Sequence, residues 1–486
     1  MILALGLSVA VERFIHARGP RALRFVRMAT PLTALLVLGL GIGIEATRQR
    51  SERATEVRLP VARAGAPNVL VIVIDTLRAD HLSNYGYTRN TAPTIARLAA
   101  RGVQFDQAFS AASWTLPSHV SMLTGHYPSS HGAELERYDN RFPTVGAAFM
   151  ERGYRTAVVT GNTGVFTRAH GLGEGFVRFD DSFFSAADGF LRTQLGHDLL
   201  KWVLKPLGWG QPARRLAESV TRDAAAWVAQ DPSRPFFLFL NYFDVHDPYT
   251  SDEPWRSQFS SKPSPGGRFD STQSVLLADL TADQVHEEID AYDGAISYVD
   301  HWIGELLASL ERSGRLANTI VVLTSDHGEG LGQHGFMGHG TTLYAEQIHV
   351  PLIFSASGRI PAGVRIPGPV SHTSLPATLL ELAGGEGVLR FPGEALTALW
   401  AGENRQPAST PAFSELRLRP WKLSQGDVMR ALIDGNWHLI DHTSQGPELF
   451  DLLQDPKELA NLATETHRDL VTHYRELIRA TLDPPR

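Results

Sequence analysis

The sequence predicts an α/β sandwich: a large, mostly parallel mixed sheet between helices, with a small C-terminal α+β subdomain and an N-terminal membrane segment. Two observations carry the sandwich. Apolar runs of strand length recur along the chain, each breaking into polar residues at its carboxyl end. Helical patterns punctuated by Gly or Pro lie between them, and such alternation builds a parallel sheet covered on both faces. A length of 486 residues suits one large domain with a smaller appendage.

The elements follow in chain order. Residues 1–11, MILALGLSVAV, are apolar but too short to span a bilayer. The uncharged run MATPLTALLVLGLGIGI between Arg27 and Glu45 is long enough, and predicts a transmembrane helix at about 28–45 within a membrane segment covering 1–45. A cleaved signal peptide fits less well, because the preceding basic stretch is long and no small-x-small site follows Ile44. Arg13, Arg18, Arg21, Arg24 and Arg27 place the loop between the two apolar runs in the cytoplasm and the rest of the chain outside it. Arg48, Arg50, Arg53 and Arg58 weaken that asymmetry.

Residues 46–66 are charged and aperiodic and read as a linker ending in Gly65-Ala66-Pro67. The main domain is expected at 67–400. NVLVIVID (68–75) is a strand buried on both faces, and the same grammar recurs at TAVVTGN (156–162), FFLFLNYFDVH (236–246) and TIVVLTSDHGE (319–329). APTIARLAARG, VGAAFMERG and YDGAISYVDHWIGELLASLERSG supply the helices. Residues 186–290, with Pro-, Gly- and Ser-rich loops, read as an insertion shaping a cleft. From 401 to 486 the short strand-like pieces of RALIDGNWHLIDH precede a terminal helix, which predicts the small subdomain.

Composition excludes several classes. A net charge of -7 with mixed signs provides no basic field for nucleic acid. With no cysteine, a disulfide framework, a thiolate metal site and a cysteine nucleophile are all ruled out. A metal would therefore be held by imidazole and oxygen, and the 19 histidines invite a search for one.

In a parallel sheet, ligands bind beyond the carboxyl ends of the strands. Asp75, Asn162, His246, Asp326 and His327 all fall at such ends, with His334 and His339 close behind in TSDHGEGLGQHGFMGHG. An Asp at a strand end is commonly a helix cap, but two of them beside a histidine make a divalent-metal site. SWTLPSHVSMLTG (113–125) poses a similar choice. Thr115 or Ser118 caps a helix starting near Pro117, or Thr115 is a nucleophile at a helix N-terminus, where an anion is favoured.

The motifs VIVIDTLRADHLSNYGY, TLPSHVSMLTGHYPSSHG, GLGEGFVRFDD, YFDVHDPY, AYDGAISYVDHWIGELL, TSDHGEGLGQHGFMGHG, LYAEQIHVPLI, VSHTSLPATLLELAG and ELFDLLQDPKELANLA follow in order across residues 67–463. In this the chain resembles the sulfatase family of the alkaline phosphatase superfamily. The resemblance implies a large α/β domain with a small antiparallel C-terminal subdomain, and a divalent metal coupled to a nucleophile. By the same resemblance Asp75, Asp326 and His327 are metal ligands, Thr115 is the nucleophile, and His246 and His339 contact the ester or protonate its leaving group. Asn162 and His131 match more weakly, and His131, His334 and His349 read as structural histidines.

The sequence departs from the family at the nucleophile. Sulfate-ester hydrolases of the family oxidise a Cys or Ser in a C/S-x-P-x-R context to formylglycine. Here that position is Thr115 and the arginine position is His119, and a threonine, with its methyl on Cβ, cannot yield the aldehyde. A phosphothreonine can be opened by water or an alcohol at phosphorus, as in the threonine-dependent phosphodiesterase and transferase branch. Thr76 stands where many sulfatases carry a second Asp, which favours one or two manganese or zinc ions over calcium.

The expectation is therefore a membrane-anchored, extracytoplasmic, metal-dependent hydrolase or phosphotransferase. Its substrate is an anionic ester, more a phosphate mono- or diester than a sulfate, lipid- or glycan-linked. The alternatives are a sulfuric ester hydrolase working without formylglycine and an inactive membrane-displayed binding domain.

Overall fold

The structure is a computed structural model. It describes residues 39–133, 137–181, 214–249, 251–260, 280–385, 389–401, 410–417 and 427–483, together with positions 19, 28, 32, 35 and 36. The chain divides into two units, Met1–Arg58 and Leu59–Arg486.

In the first unit residues 39–58 form a helix, α1. Its opening is apolar and exposed at Leu40, Ile42 and Ile44. From Glu45 onward it carries charges, including the ion pairs Arg48–Glu45 at 2.9 Å and Arg48–Glu52 at 3.8 Å. Among the described residues no helix is long and apolar enough to cross a membrane. The expected span at 28–45 lies partly outside those residues, and the run 1–11 wholly outside them. The expected linker at 46–66 is helical as far as Arg58, since pairs at i,i+3 and i,i+4 support a helix that an apolar-periodicity reading overlooks.

In the second unit eight strands build the main sheet: β1 (Asn68–Ile74), β2 (Val103–Phe109), β3 (Arg155–Thr160), β4 (Arg178–Asp180), β5 (Phe236–Tyr242), β6 (Thr319–Thr324), β9 (His349–Ser355) and β10 (Val364–Ser371). Their order is β10-β2-β9-β6-β1-β5-β3-β4. β9 runs antiparallel to β2 and β6, and the other pairings are parallel. Between β6 and β9 a small ribbon pairs β7 (Gly330–Leu331) with β8 (Met337–Gly338).

β1 is central and buried on both faces. Val69, Val71 and Val73 join one core cluster, while Leu70, Ile72 and Ile74 join the other. The helices that cover the sheet are α2 (Pro93–Ala100), α3 (Thr115–Thr124), α4 (Val145–Glu151), α5 (Ala217–Gln230), α6 (Ala282–Arg312) and α7 (Leu375–Leu382). α6 opens with a capping box of Thr281 and Gln284. α5 and β5 fall inside the stretch expected as an insertion, so part of 186–290 is main domain. Residues 186–213, 250 and 261–279 of that stretch lie outside the described residues.

A second sheet, β11 (Ala412–Arg417), β12 (Val428–Asp434), β13 (Trp437–His442) and β14 (Gly446–Asp451), is antiparallel and backed by α8 (Arg468–Leu482). It belongs to the same compact unit as the main sheet. β11 reaches the site region directly: Glu415 N donates to Ala111 O at 2.9 Å and Ser414 Oγ to Ser110 O.

Candidate active site

β1 and β6 end side by side, and each delivers an aspartate to the carboxyl edge of the sheet. Asp75 and Asp326 are fully buried, as is His327. One oxygen of Asp75 accepts from two amides, Asn162 Nδ2 at 3.1 Å and Asn241 Nδ2 at 3.4 Å, which leaves Oδ1 without a hydrogen bond. Asp326 is held the same way. Its Oδ1 accepts from the backbone N–H of Thr76 (3.2 Å) and of His327 (3.0 Å), and Oδ2 has no hydrogen bond.

His327 turns its Nδ1 to the carbonyl of Gly328 at 2.9 Å, so the proton sits there and Nε2 carries the lone pair. That Nε2 lies 3.4 Å from Asp326 Oδ2, 3.9 Å from Asp75 Oδ1 and 3.4 Å from Thr115 Oγ1. Ligating atoms of Asp75, Asp326 and His327 all fall within 4.8 Å of one another. Gly328 is required at the turn, because a β-carbon there would come within 2.1 Å of the Glu346 carbonyl oxygen.

The electrostatics agree with a cation site. Burial, then the charge of Asp326, pushes the Asp75 carboxyl up to about 6. Burial pushes Asp326 up to about 7 against the N–H groups that stabilise its anion. Two buried like charges with unsatisfied oxygens beside an imidazole lone pair form a donor set that fits a divalent metal. Asp75, Asp326 and His327 would hold it, with the Thr115 hydroxyl adjoining.

Thr115 is the first residue of α3 and is buried. The helix is capped by Trp114 with no side-chain cap bond, so neither Thr115 nor Ser118 does the capping that the sequence allowed. Ser118 Oγ instead donates to the carbonyl of Asp326, tying α3 to the end of β6. Ser110 Oγ donates to the same carbonyl.

His119 lies beneath Thr115. Its Nδ1 donates to Thr115 O at 2.8 Å, and burial drives its pKa down to about 3, so the ring is neutral. A neutral packing group therefore stands where the family pattern has an arginine. Thr76, in the place of a second Asp, adopts a left-handed backbone (φ 61°). Its hydroxyl bonds to the carbonyls of Asp75 (2.7 Å) and Val245 (2.9 Å), joining the end of β1 to the turn before His246.

Two further histidines stand over this floor. The His339 ring lies 4.5 Å from that of His327 and 4.7 Å from that of His246, centroid to centroid. His339 Nδ1 contacts Glu329 Oε1 at 2.9 Å, and His246 Nδ1 donates to Asp247 O at 2.8 Å. His246, Asp247 and His339 form a second ligand-bearing group. All six residues expected at the site are thus brought together, and Asn162 with them.

His131 and His349 lie elsewhere. His131 Nε2 meets Ser121 Oγ at 3.1 Å, and His349 Nε2 donates to Asp106 O at 2.9 Å. Sequence reasoning passed over Asn241, Glu329 and Arg214. Asn241 had a signal, since it lies in the last two residues of β5, at the same edge. Arg214 forks onto the carbonyls of His246, Asp247 and Pro248 at 2.5, 2.9 and 2.7 Å and fixes the His246 turn, a contact across 30-odd residues that no local pattern announces.

Comparison with known proteins places this site in a family. The sulfatase family profile matches residues 67–385, more than half of the chain and the whole of the main sheet. The chain belongs to the sulfatase family. It is a hydrolase of that family, whose members are metal-dependent, and it carries a candidate metal cluster.

Similar proteins include an arylsulfatase of Clostridium perfringens, 24% identical over 481 residues with 86% of this chain and 94% of that protein covered. A multifunctional alkaline phosphatase superfamily protein of Trinickia caryophylli is 25% identical over 483 residues, covering 84% and 94%. Among solved structures, a phosphonate monoester hydrolase of Agrobacterium radiobacter superposes with a TM-score of 0.67 at 20% identity, covering 86% of this chain and 96% of that one. A solved glycosaminoglycan 2-O-sulfatase superposes with a TM-score of 0.64 at 21% identity, so sulfatases and phosphonate monoester hydrolases share this fold.

Proposed function

We propose that this chain is a membrane-anchored, extracytoplasmic phosphoester hydrolase or phosphotransferase in which Thr115 is the nucleophile. The observation that carries the reading is the hydroxyl itself. Thr115 Oγ1 is buried at the start of α3, does no capping, and lies 3.4 Å from the lone-pair nitrogen of His327 beside two carboxylates with open oxygens.

A divalent ion bound there, manganese or zinc by its donor set, supplies neutralisation of negative charge and a lowered hydroxyl pKa. Thr115, ionised to its alkoxide before the reaction and released again as the alkoxide, attacks phosphorus, forming the Oγ–P bond as the bond from phosphorus to the leaving oxygen breaks. His246 or His339 gives that oxygen its proton and then takes one from water or an acceptor alcohol, whose attack on phosphorus releases Thr115. Asn162 and Asn241 keep Asp75 Oδ1 turned inward throughout.

The route of the chain bears on the substrate. Residues 59–66 lie along the amino edge of the sheet, where the Pro60 carbonyl packs on Gly153 so closely that a β-carbon would come within 2.3 Å. β1 then runs seven residues, about 23 Å at ordinary strand rise, to Asp75. The chain therefore enters the catalytic unit at the edge of the sheet opposite the site, and the ester is soluble, glycan-linked or lipid-linked.

A sulfuric ester hydrolase working without formylglycine is the second reading, favoured by the arylsulfatase relative. Parallel assays on 4-nitrophenyl sulfate, 4-nitrophenyl phosphate and bis(4-nitrophenyl) phosphate, each with manganese, zinc or calcium, decide between them. A clear preference for the sulfate overturns the first.

A further inference from the structure

We infer that Glu458, in the turn after β14, is a positioning residue that holds the loop bearing His339. Resting on the reading above that His246 or His339 is the proton donor, and taking His339 for that role, the inference gives the small C-terminal sheet a catalytic duty. Glu458 is buried and has a left-handed backbone (φ 54°) although it is not a glycine. Such a conformation persists where surrounding contacts over-determine it.

Two of those contacts lead to one loop and a third anchors Glu458 to β13. Glu458 Oε2 accepts from the backbone N–H of Ala345 at 2.6 Å, and Oε1 accepts from His438 Nδ1 on β13. Its carbonyl accepts from His334 Nε2 at 3.0 Å. His334 Nδ1 in turn donates to Glu346 Oε1 at 2.8 Å. With both ring nitrogens facing acceptors, His334 is an imidazolium; burial opposes the charge, but the Glu346 contact raises its pKa to about 9.

One residue therefore grips the loop at both ends, His334 before His339 and Ala345 after it. A second strap runs beside the first. Tyr344 stacks on His334 at 3.8 Å and 11°, and its hydroxyl donates to Glu448 of β14 at 3.1 Å. At the apex the N–H of Gly340, next to His339, donates to Ser113 O at 2.8 Å, two residues before Thr115. Slack at Glu458 is thus passed to the proton donor, and a 1 Å misplacement of such a group is costly.

The test is Glu458→Gln in the full chain, assayed with manganese. A glutamine offers one acceptor where the Ala345 N–H and His438 Nδ1 both donate, so either the Ala345 end of the loop is released or the strap loses its anchor on β13. The readout is the ratio of turnover on phenyl phosphate, a poor leaving group, to that on 4-nitrophenyl phosphate, which needs little proton transfer. We expect kcat on the phenyl ester to fall by about tenfold or more, against less than about threefold on the nitrophenyl ester, with KM held. Tyr344→Phe, which keeps the stacked ring and loses the bond to Glu448, shows the same pattern more weakly and covers the case in which Glu458→Gln does not fold.

An equal loss on both esters, or none, overturns the inference, since a purely structural role lowers the two together. His339→Asn run alongside separates the layers. If it lacks the leaving-group dependence, the proton-donor assignment falls and the inference with it. If it shows the dependence and the Glu458 and Tyr344 variants do not, only the inference falls.

Discussion

Replacing Asp326 by asparagine should stabilise the metal-free protein while destroying its metal affinity. In the folded chain the Asp326 carboxyl is raised from 3.8 to about 7, and it is fully buried. Each pKa unit corresponds to about 1.4 kcal/mol, so ionising this group in the fold costs about 4 kcal/mol that an unfolded chain does not spend. The sign follows from the direction of the shift. Below about pH 4 both states are protonated and the penalty is absent; it grows as pH rises and is complete above about pH 7.

Asparagine retains an Oδ1 that accepts from Thr76 and His327, and it removes the charge that repels Asp75. Urea unfolding in chelator at pH 8 should therefore show the Asp326→Asn variant more stable than wild type, by up to about 4 kcal/mol. The difference should shrink at pH 5. Adding manganese should reverse the order, because the wild type gains binding energy that the variant cannot. A variant less stable than wild type in chelator at pH 8 would refute the picture of two frustrated carboxylates awaiting a cation.

Other expectations follow from single contacts. Gly328→Ala should weaken metal binding and unfold more readily than wild type, because its β-carbon meets the Glu346 carbonyl at 2.1 Å; isothermal titration with manganese and a thermal melt check both. The charged contact of His334 contributes stability that is full below about pH 6.5 and is lost as pH rises through about 9; after solvent screening the loss should be about 1–2 kcal/mol, absent in His334→Gln, by urea titration at pH 7 and pH 10. Arg214→Ala should lower kcat by about tenfold with little effect on the melting temperature, since the fork on residues 246–248 positions His246 more than it supports the core.

How much of this was readable beforehand depends on range. The strands of β1, β3, β5 and β6 are continuous apolar runs, so their ends, and with them Asp75, Asn162, Asp326 and His327, could be placed on one edge. The reversed direction of β9 could not, since HVPLIFS reads alike in either polarity. From residue 46 onward α1 reads as linker, because its helix there rests on charge pairs and carries no apolar stripe after Ile44. His119 was noticed only as a missing arginine, while its neutrality comes from burial that composition does not reveal. His334 read as a structural histidine, and its partners Glu346 and Glu458 come from two different sheets' surroundings.

As the nucleophile, Thr115 should become covalently modified in turnover. Acid-quenched intact-mass and peptide analysis of the manganese-loaded protein, after brief exposure to bis(4-nitrophenyl) phosphate, tests it most directly. The expected result is a mass gain of one phosphoryl ester group on the peptide containing Thr115, absent in Thr115→Ala, which should also have lost turnover. Rapid hydrolysis with unmodified Thr115, or undiminished activity in the alanine variant, would contradict it.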